Sequence, residues 1–308
     1  MKTLGFDTSN YTTSVAWFDG TEGENCSRLL PVKAGELGLR QADALFAHTK
    51  SLPDLADRLF SHVDCREIAA VGVSTRPRAV EGSYMPCFLA GVAQARAIAS
   101  LLHVPLVEVS HQQGHLAAAL WGAGRMELLH QRFLAWHLSG GTTELLLVEP
   151  EELRCSRIGG TTDISAGQLI DRTGKLLGLP FPAGKALEQW ASQAAEQPSY
   201  RVKCPALEFS LSGMQNQVEQ YYRQTGREAE TAAFALGCVC SAVTQATEHA
   251  MARYPGLPVV FSGGVSSNSM LRACMAKVQP VFCPPALSTD NAQGVAVLAW
   301  HRMEESHG

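Results

Sequence analysis

The sequence predicts an α/β protein of two lobes, each built on a mainly parallel sheet. Two observations carry this. Strand-like apolar runs alternate with helical ones along the chain, the pattern of parallel strands crossed over by helices. A strand–polar turn–strand design also occurs twice, in LGFDTSNYTTSVAWF near the start and in FLAWHLSGGTTELLLVE at mid-chain. Repetition suggests a duplicated architecture with one copy opening each lobe. Two unrelated hairpins would read the same way, although the Gly140–Gly141 turn makes the second copy more telling. The lobes are expected at residues 1–118 with 288–308, and at 119–287. A chain of 308 residues, 46% hydrophobic and 18% charged, is ample for both cores.

After the first hairpin, residues 41–63 carry a helical pattern that Pro53 is expected to interrupt. IAAVGVST is then a short buried strand, 86–102 an Ala-rich helix, and VPLVEV another strand. Helices at 166–178, 184–195 and 231–253 follow the second hairpin, with 196–208 (EQPSYRVKCPALE) the clearest loop. Strand LPVVFSGGV, a helix from near Ser269 and a closing helix over 290–303 complete the pattern.

Composition narrows the function. Nine cysteines include no CxxC pair, which removes a zinc ribbon or a thioredoxin-like site. An odd, unpatterned set without a secretion signal points to reduced thiols in the cytoplasm. The start, MKTLGFDTSN, lacks the apolar stretch of a signal peptide. The best apolar run is broken by Gln94 and Arg96, so no membrane association is expected. A net charge of -4 argues against a surface that clings to nucleic acid throughout, while leaving room for a local basic patch or a partner subunit that supplies one.

Three segments can carry chemistry. Ser110 can cap a helix that begins at His111, and residues four apart share a helical face, so His111 and His115 point the same way. That spacing matches two ligands of one divalent metal, and equally two packing or surface histidines. Asp290, in LSTDNAQG, could be a third ligand; by position alone a helix-capping aspartate is the commoner reading. In Leu138-Ser139-Gly140-Gly141-Thr142, two glycines let the backbone approach a ligand and expose N–H groups suited to phosphate. In VVFSGGVSSNSML, Gly263 and Gly264 lead through Asn268 to a helix N-terminus, a common anion site and singly a weak signal. No HExxH glutamate lies between the histidines, where Gln112 and Gln113 stand, so peptidase chemistry lacks its base.

In their order and spacing these segments resemble the tRNA adenosine threonylcarbamoyltransferase (TsaD) family along nearly the whole chain. The matching stretches are LGFDTSNYTTSVA, VEVSHQQGHLAA, LSGGTTELLLV, DISAGQLIDRTGKLLGLPFPAG, FSLSGMQN, FSGGVSSNSMLR and STDNAQGVA. The resemblance implies the actin/hexokinase/heat-shock-ATPase fold, with ATP or an acyl-adenylate held between lobes. It carries the metal role to His111, His115 and Asp290, with iron or zinc expected and magnesium the alternative. It carries nucleotide contacts to Ser139, Gly140, Gly141, Asp171, Gly184 and Asn268. The implied reaction transfers threonylcarbamoyl from its adenylate to a tRNA adenosine. Partners would be adenine nucleotide, tRNA through a complex, and other tRNA-modification subunits or a second copy; helix 86–102 is a candidate contact.

The departures read as those of a divergent paralogue. Family members carry two acidic residues where Tyr11 and Thr12 stand, a histidine at Thr142, a glutamate at Gln168 and a lysine at Gln215. Their Gly-Pro-Gly loop is replaced by Ser74-Thr75-Arg76-Pro77-Arg78. Threonine cannot supply the acid/base chemistry of histidine. The competing expectations are acyl or carbamoyl transfer to a different acceptor, guided by Arg76 and Arg78, and a non-catalytic nucleotide-binding partner of the modification machinery.

Overall fold

A computed structural model describes residues 1–9, 11–31, 39–196, 198 and 202–307. Asn10 of the first turn, and residues 197 and 199–201 of the expected 196–208 loop, lie outside the described residues. The chain divides into two compact units, Met1–Met126 with Thr289–Gly308, and Glu127–Ser288.

The first unit holds strands β1 (Lys2–Thr8), β2 (Thr12–Phe18), β3 (Gly23–Leu29), β4 (Ile68–Arg76) and β5 (Leu106–Ser110) in the order β3-β2-β1-β4-β5. β1 pairs antiparallel with β2, and β2 with β3; β1–β4 and β4–β5 are parallel. One face carries Leu4, Phe6, Val15, Val71 and Val73 under helices α1 (Gln41–Phe60) and α2 (Leu89–Leu102), which bury Leu52, Leu55, Ala95 and Ala99 against it.

The opposite face is nearly bare of side chains at Gly5 and Gly72, and α9 (Gln293–His307) lies directly on it. A Cβ on Gly5 would meet the Ala296 nitrogen at 2.7 Å, and one on Gly72 the Val295 carbonyl at 2.8 Å. Gly294 makes the same close approach to α3 (His111–Gly122), where a Cβ would run into the Gly114 carbonyl. Gly294→Ala is therefore expected to cost about 2–3 kcal/mol through overpacking, read as a lower urea midpoint. An unchanged midpoint would show that α9 does not sit this tightly.

The second unit repeats the design. β6 (Phe133–Leu138), β7 (Thr143–Glu149) and β8 (Arg154–Thr161) form the antiparallel trio, and β10 (Val259–Ser262) and β11 (Val281–Phe282) extend β6 in parallel. A short β9 (Glu208–Phe209) closes the order β11-β10-β6-β7-β8-β9. Leu134, Trp136 and Leu138 pack into a core built largely by α7 (Glu228–Arg253), with α4 (Ala166–Leu176), α5 (Gly184–Ala191), α6 (Ser212–Thr225) and α8 (Ser269–Met275) around it. The duplication thus extends to five strands per unit in the same order and sense, further than the two hairpins alone indicate.

Several boundaries differ from the sequence reading. α1 runs unbroken through Pro53, because Leu52, Leu55 and Leu59 bury enough to offset one missing backbone bond. Residues 86–88 form a 3-10 turn before α2, and the closing helix starts at Gln293. β3 escaped the sequence reading because, on this edge strand, Cys26 alone is buried. α6 escaped it because Met214 and Val218 are its whole buried stripe. Among the described residues, no helix is long and apolar enough to cross a membrane.

Candidate functional site

In the first unit, Ser110 ends β5 and caps α3. Its hydroxyl accepts from the Gln113 backbone N–H, and the Gln113 side chain accepts from the Ser110 N–H at 2.7 Å. This capping box fixes the first turn, and so the direction of His111 and His115. The two imidazole Nε2 atoms stand 3.0 Å apart. Asp290, placed just ahead of α9, brings Oδ1 to 3.2 Å from His115 Nε2 and 3.5 Å from His111 Nε2.

Two residues behind the cluster were not singled out from sequence. Asp7, near the end of β1 and almost fully buried, holds His111 Nδ1 at 2.6 Å from its Oδ2 and accepts from the Ser9 N–H through Oδ1. Ser9 in turn donates its hydroxyl to Asp290 Oδ2 at 3.1 Å. With Nδ1 turned to a carboxylate, the second nitrogen of His111 is aimed at His115 and Asp290, the usual arrangement of a metal-binding histidine. The signal was the DTSN turn itself, a polar cluster between two apolar strands.

Three donor atoms about 2.1 Å from one cation stand about 3.0 Å apart at right angles and about 3.4 Å apart at tetrahedral angles. The observed spacings of 3.0, 3.2 and 3.5 Å fit such a cation. Burial disfavours charge on His111, yet the Asp7 carboxylate, helped by Asp290, holds its imidazole up to about 10. Burial likewise acts to raise Asp290, while hydrogen bonds from both histidines hold it well below the usual carboxylate range. Both shifts favour positive charge at the cluster, and a metal ligand there would have to give up its proton first.

In the second unit, the turn after β6 is closed by Ser139 N–H to the Thr142 carbonyl at 2.8 Å and Thr142 N–H to Ser139 Oγ. A Cβ added at Gly140, Gly141, Gly184 or Gly264 would meet no protein atom within 4 Å. Packing does not require glycine there, which leaves open backbone for a ligand. Gly263 is different: at φ +87°, a Cβ would strike the Leu138 carbonyl, so it is a structural glycine that seats the turn after β10 beside the turn after β6. These turns lie at the carboxyl ends of parallel strands, where open α/β sheets bind ligands.

The other expected residues join the same chain of contacts. Gly167, in the first turn of α4, abuts Gly140, and Ser165 Oγ donates to the Gly140 carbonyl at 2.7 Å. Asp171 on α4 accepts from Ala183 N–H at 2.8 Å, beside Gly184; burial pushes its carboxyl up. Asn268 accepts from Leu271 N–H and so caps α8. Glu188 of α5 also accepts from the Ser269 N–H at 2.7 Å and from its hydroxyl, so a protein carboxylate already occupies that helix start.

The departures are absorbed structurally. Gln168 completes a capping box with Ser165, and Gln215 bridges Arg172 and Glu219 at 2.8 Å each. Thr12 is buried in β2, while Tyr11 is exposed.

The profile of the TsaD family, described as tRNA N6-adenosine threonylcarbamoyltransferase, matches residues 40–297. The tRNA N6-adenosine threonylcarbamoyltransferase of Streptococcus equi subsp. zooepidemicus is 32% identical over 261 residues, covering 80% of this chain and 74% of that protein. That of Granulibacter bethesdensis is 30% identical and covers 98% and 88%. Among solved structures, HypF from T. kodakarensis aligns at TM-score 0.61 with 13% identity, over 99% of this chain and 48% of HypF. A ROK family glucokinase from Streptomyces griseus, in complex with glucose and AMPPNP, aligns at 0.55 with 12% identity, over 98% of this chain and all of that one. Those two likenesses establish the two-lobed fold.

Proposed function

This chain belongs to the TsaD family of tRNA N6-adenosine threonylcarbamoyltransferases, and on that premise we propose that it moves threonylcarbamoyl from its adenylate to an adenosine of tRNA. The observation that carries the proposal is the convergence of His111, His115 and Asp290 on one point, with Asp7 behind. Two imidazoles and one carboxylate suit iron or zinc; magnesium, which takes oxygen ligands, fits less well. Such a cation, when bound, supplies Lewis-acid polarisation of the carbonyl under attack.

The chain's own groups do the rest. Asp7 and Ser9 fix the orientation of His111 and Asp290. The open backbone at Gly140, Gly141 and Gly264 takes the adenylate phosphate, and Leu138, Ser139 and Thr142 shape that turn. Gly263 seats it, and Asp171, Gly184 and Asn268 flank it. The adenosine amine attacks the carbamoyl carbon, the bond from that carbon to the adenylate phosphate oxygen breaks, AMP departs with that bonding pair, and the proton lost by the amine passes to solvent. Orientation alone supplies much of the barrier reduction in such a transfer.

With Thr142 where the family has histidine, one positioned acid/base group is lost, which typically costs on the order of 100- to 10,000-fold in rate. The purified chain, given threonylcarbamoyl-adenylate and unmodified tRNA, is therefore expected to turn over weakly. Adding the other tRNA-modification subunits should restore the rate. Robust turnover without partners would refute the partner dependence. No modified adenosine under either condition would favour a different acceptor, or a nucleotide-binding partner role.

A further inference from the structure

The segment that joins β4 to α2 is tied at both ends to the elements that carry the metal ligands. At its start, Arg76 pairs with Ser110, the residue before His111, across adjacent strands. The Pro77 carbonyl accepts from the Gln112 N–H at 3.0 Å, so the loop is joined to the same first turn of α3. At its far end, Cys87 and Phe88 are buried. The Cys87 carbonyl accepts from Thr8 Oγ1 at 3.1 Å, and the Phe88 ring lies 6.2 Å from the His111 ring. Between these anchors the loop folds on itself, with Arg78 N–H donating to Ser83 Oγ at 3.0 Å and Gly82 turning at φ +74°.

What this loop presents is specific. Arg76 and Arg78 are exposed, and Tyr84 is 63% exposed, a large aromatic left outside the core. Glu81 is the one carboxylate within residues 76–85, in a chain whose net charge is -4. Two exposed guanidiniums and an exposed ring on one loop are the elements that read unpaired RNA: arginine takes the backbone phosphates, and the ring stacks on a base. A free phosphate or a duplex would have no use for the ring.

Resting on the proposed tRNA reaction, we propose that Arg76, Arg78 and Tyr84 form the acceptor-reading edge of the metal-side site. The arginines hold phosphodiesters of an unpaired RNA loop, and Tyr84 stacks on one of its bases. They are specificity residues outside the ligand set. Pro77 and the Phe88 anchor tie their loop to the elements around His111.

Fluorescence anisotropy with a labelled, unmodified RNA stem-loop carrying adenosine in its loop tests this on the full chain. Arg76→Gln and Arg78→Gln should each weaken binding severalfold and reduce the salt slope by about one. Tyr84→Ala should weaken it by on the order of tenfold with little change in slope, and Tyr84→Phe should restore it. Glu81→Gln, in the same loop, should not weaken binding, and metal content should stay unchanged in every variant. Wild-type binding that survives the arginine and tyrosine substitutions overturns the assignment. A wild-type chain that binds no RNA overturns the acceptor reading on which it rests.

Discussion

His115→Ala is expected to bind less than about a tenth of the divalent cation held by the wild type, as metal analysis of the purified proteins would read. His115 is almost fully buried and supplies one of three donor atoms that stand 3.0 to 3.5 Å apart. Two donors alone cannot define the site, whereas a change behind a ligand loosens it less. Asp7→Asn, which takes the carboxylate from His111 Nδ1 and leaves only Asp290 on its other side, should thus lower affinity by about 10- to 100-fold while retaining some metal. The contrast separates ligand from support. Equal metal content in His115→Ala and wild type would sink the assignment of the centre. Circular dichroism guards against the trivial explanation, since removing a buried imidazole also leaves a cavity.

Gly141→Val should abolish ATP binding while leaving the protein folded. A Cβ at this position meets no protein atom within 4 Å, so the native chain tolerates the side chain. A ligand brought against the exposed N–H groups does not, because the valine occupies the space the phosphates need. Calorimetric titration should show affinity down by at least about 100-fold, or about 2.7 kcal/mol. Gly263→Val gives the opposite outcome: at φ +87° and against the Leu138 carbonyl, it should damage the fold itself. Unchanged ATP affinity in Gly141→Val would mean that the nucleotide binds elsewhere.

Local sequence determined a good deal. Apolar runs, turns and helical spacing fixed β1, β2, β4 to β7, α2 to α5 and α7, because each records its own burial period within a few residues. The ordered motifs were enough for the family, and the pair His111 and His115 was visible because one helix carries both. Edge strand β3 and the polar helix α6 were not legible, since each buries too little to leave a period. Pro53 misled, because a local rule was overridden by the packing of α1.

Tertiary structure alone decided what stands behind the proposed ligands. Asp7 and His111 are 104 positions apart, and Ser9 and Asp290 are 281 apart. No short-range pattern links such residues; the sheet and α3 bring the first pair together, and the depth at which α9 settles onto Gly5, Gly72 and Gly114 sets the place of Asp290 in the second. The same holds for the glycines of the second unit. Sequence showed them as equivalent turn residues. Only packing separated Gly263, which a carbonyl forces to lack a side chain, from Gly140 and Gly141, which face open space.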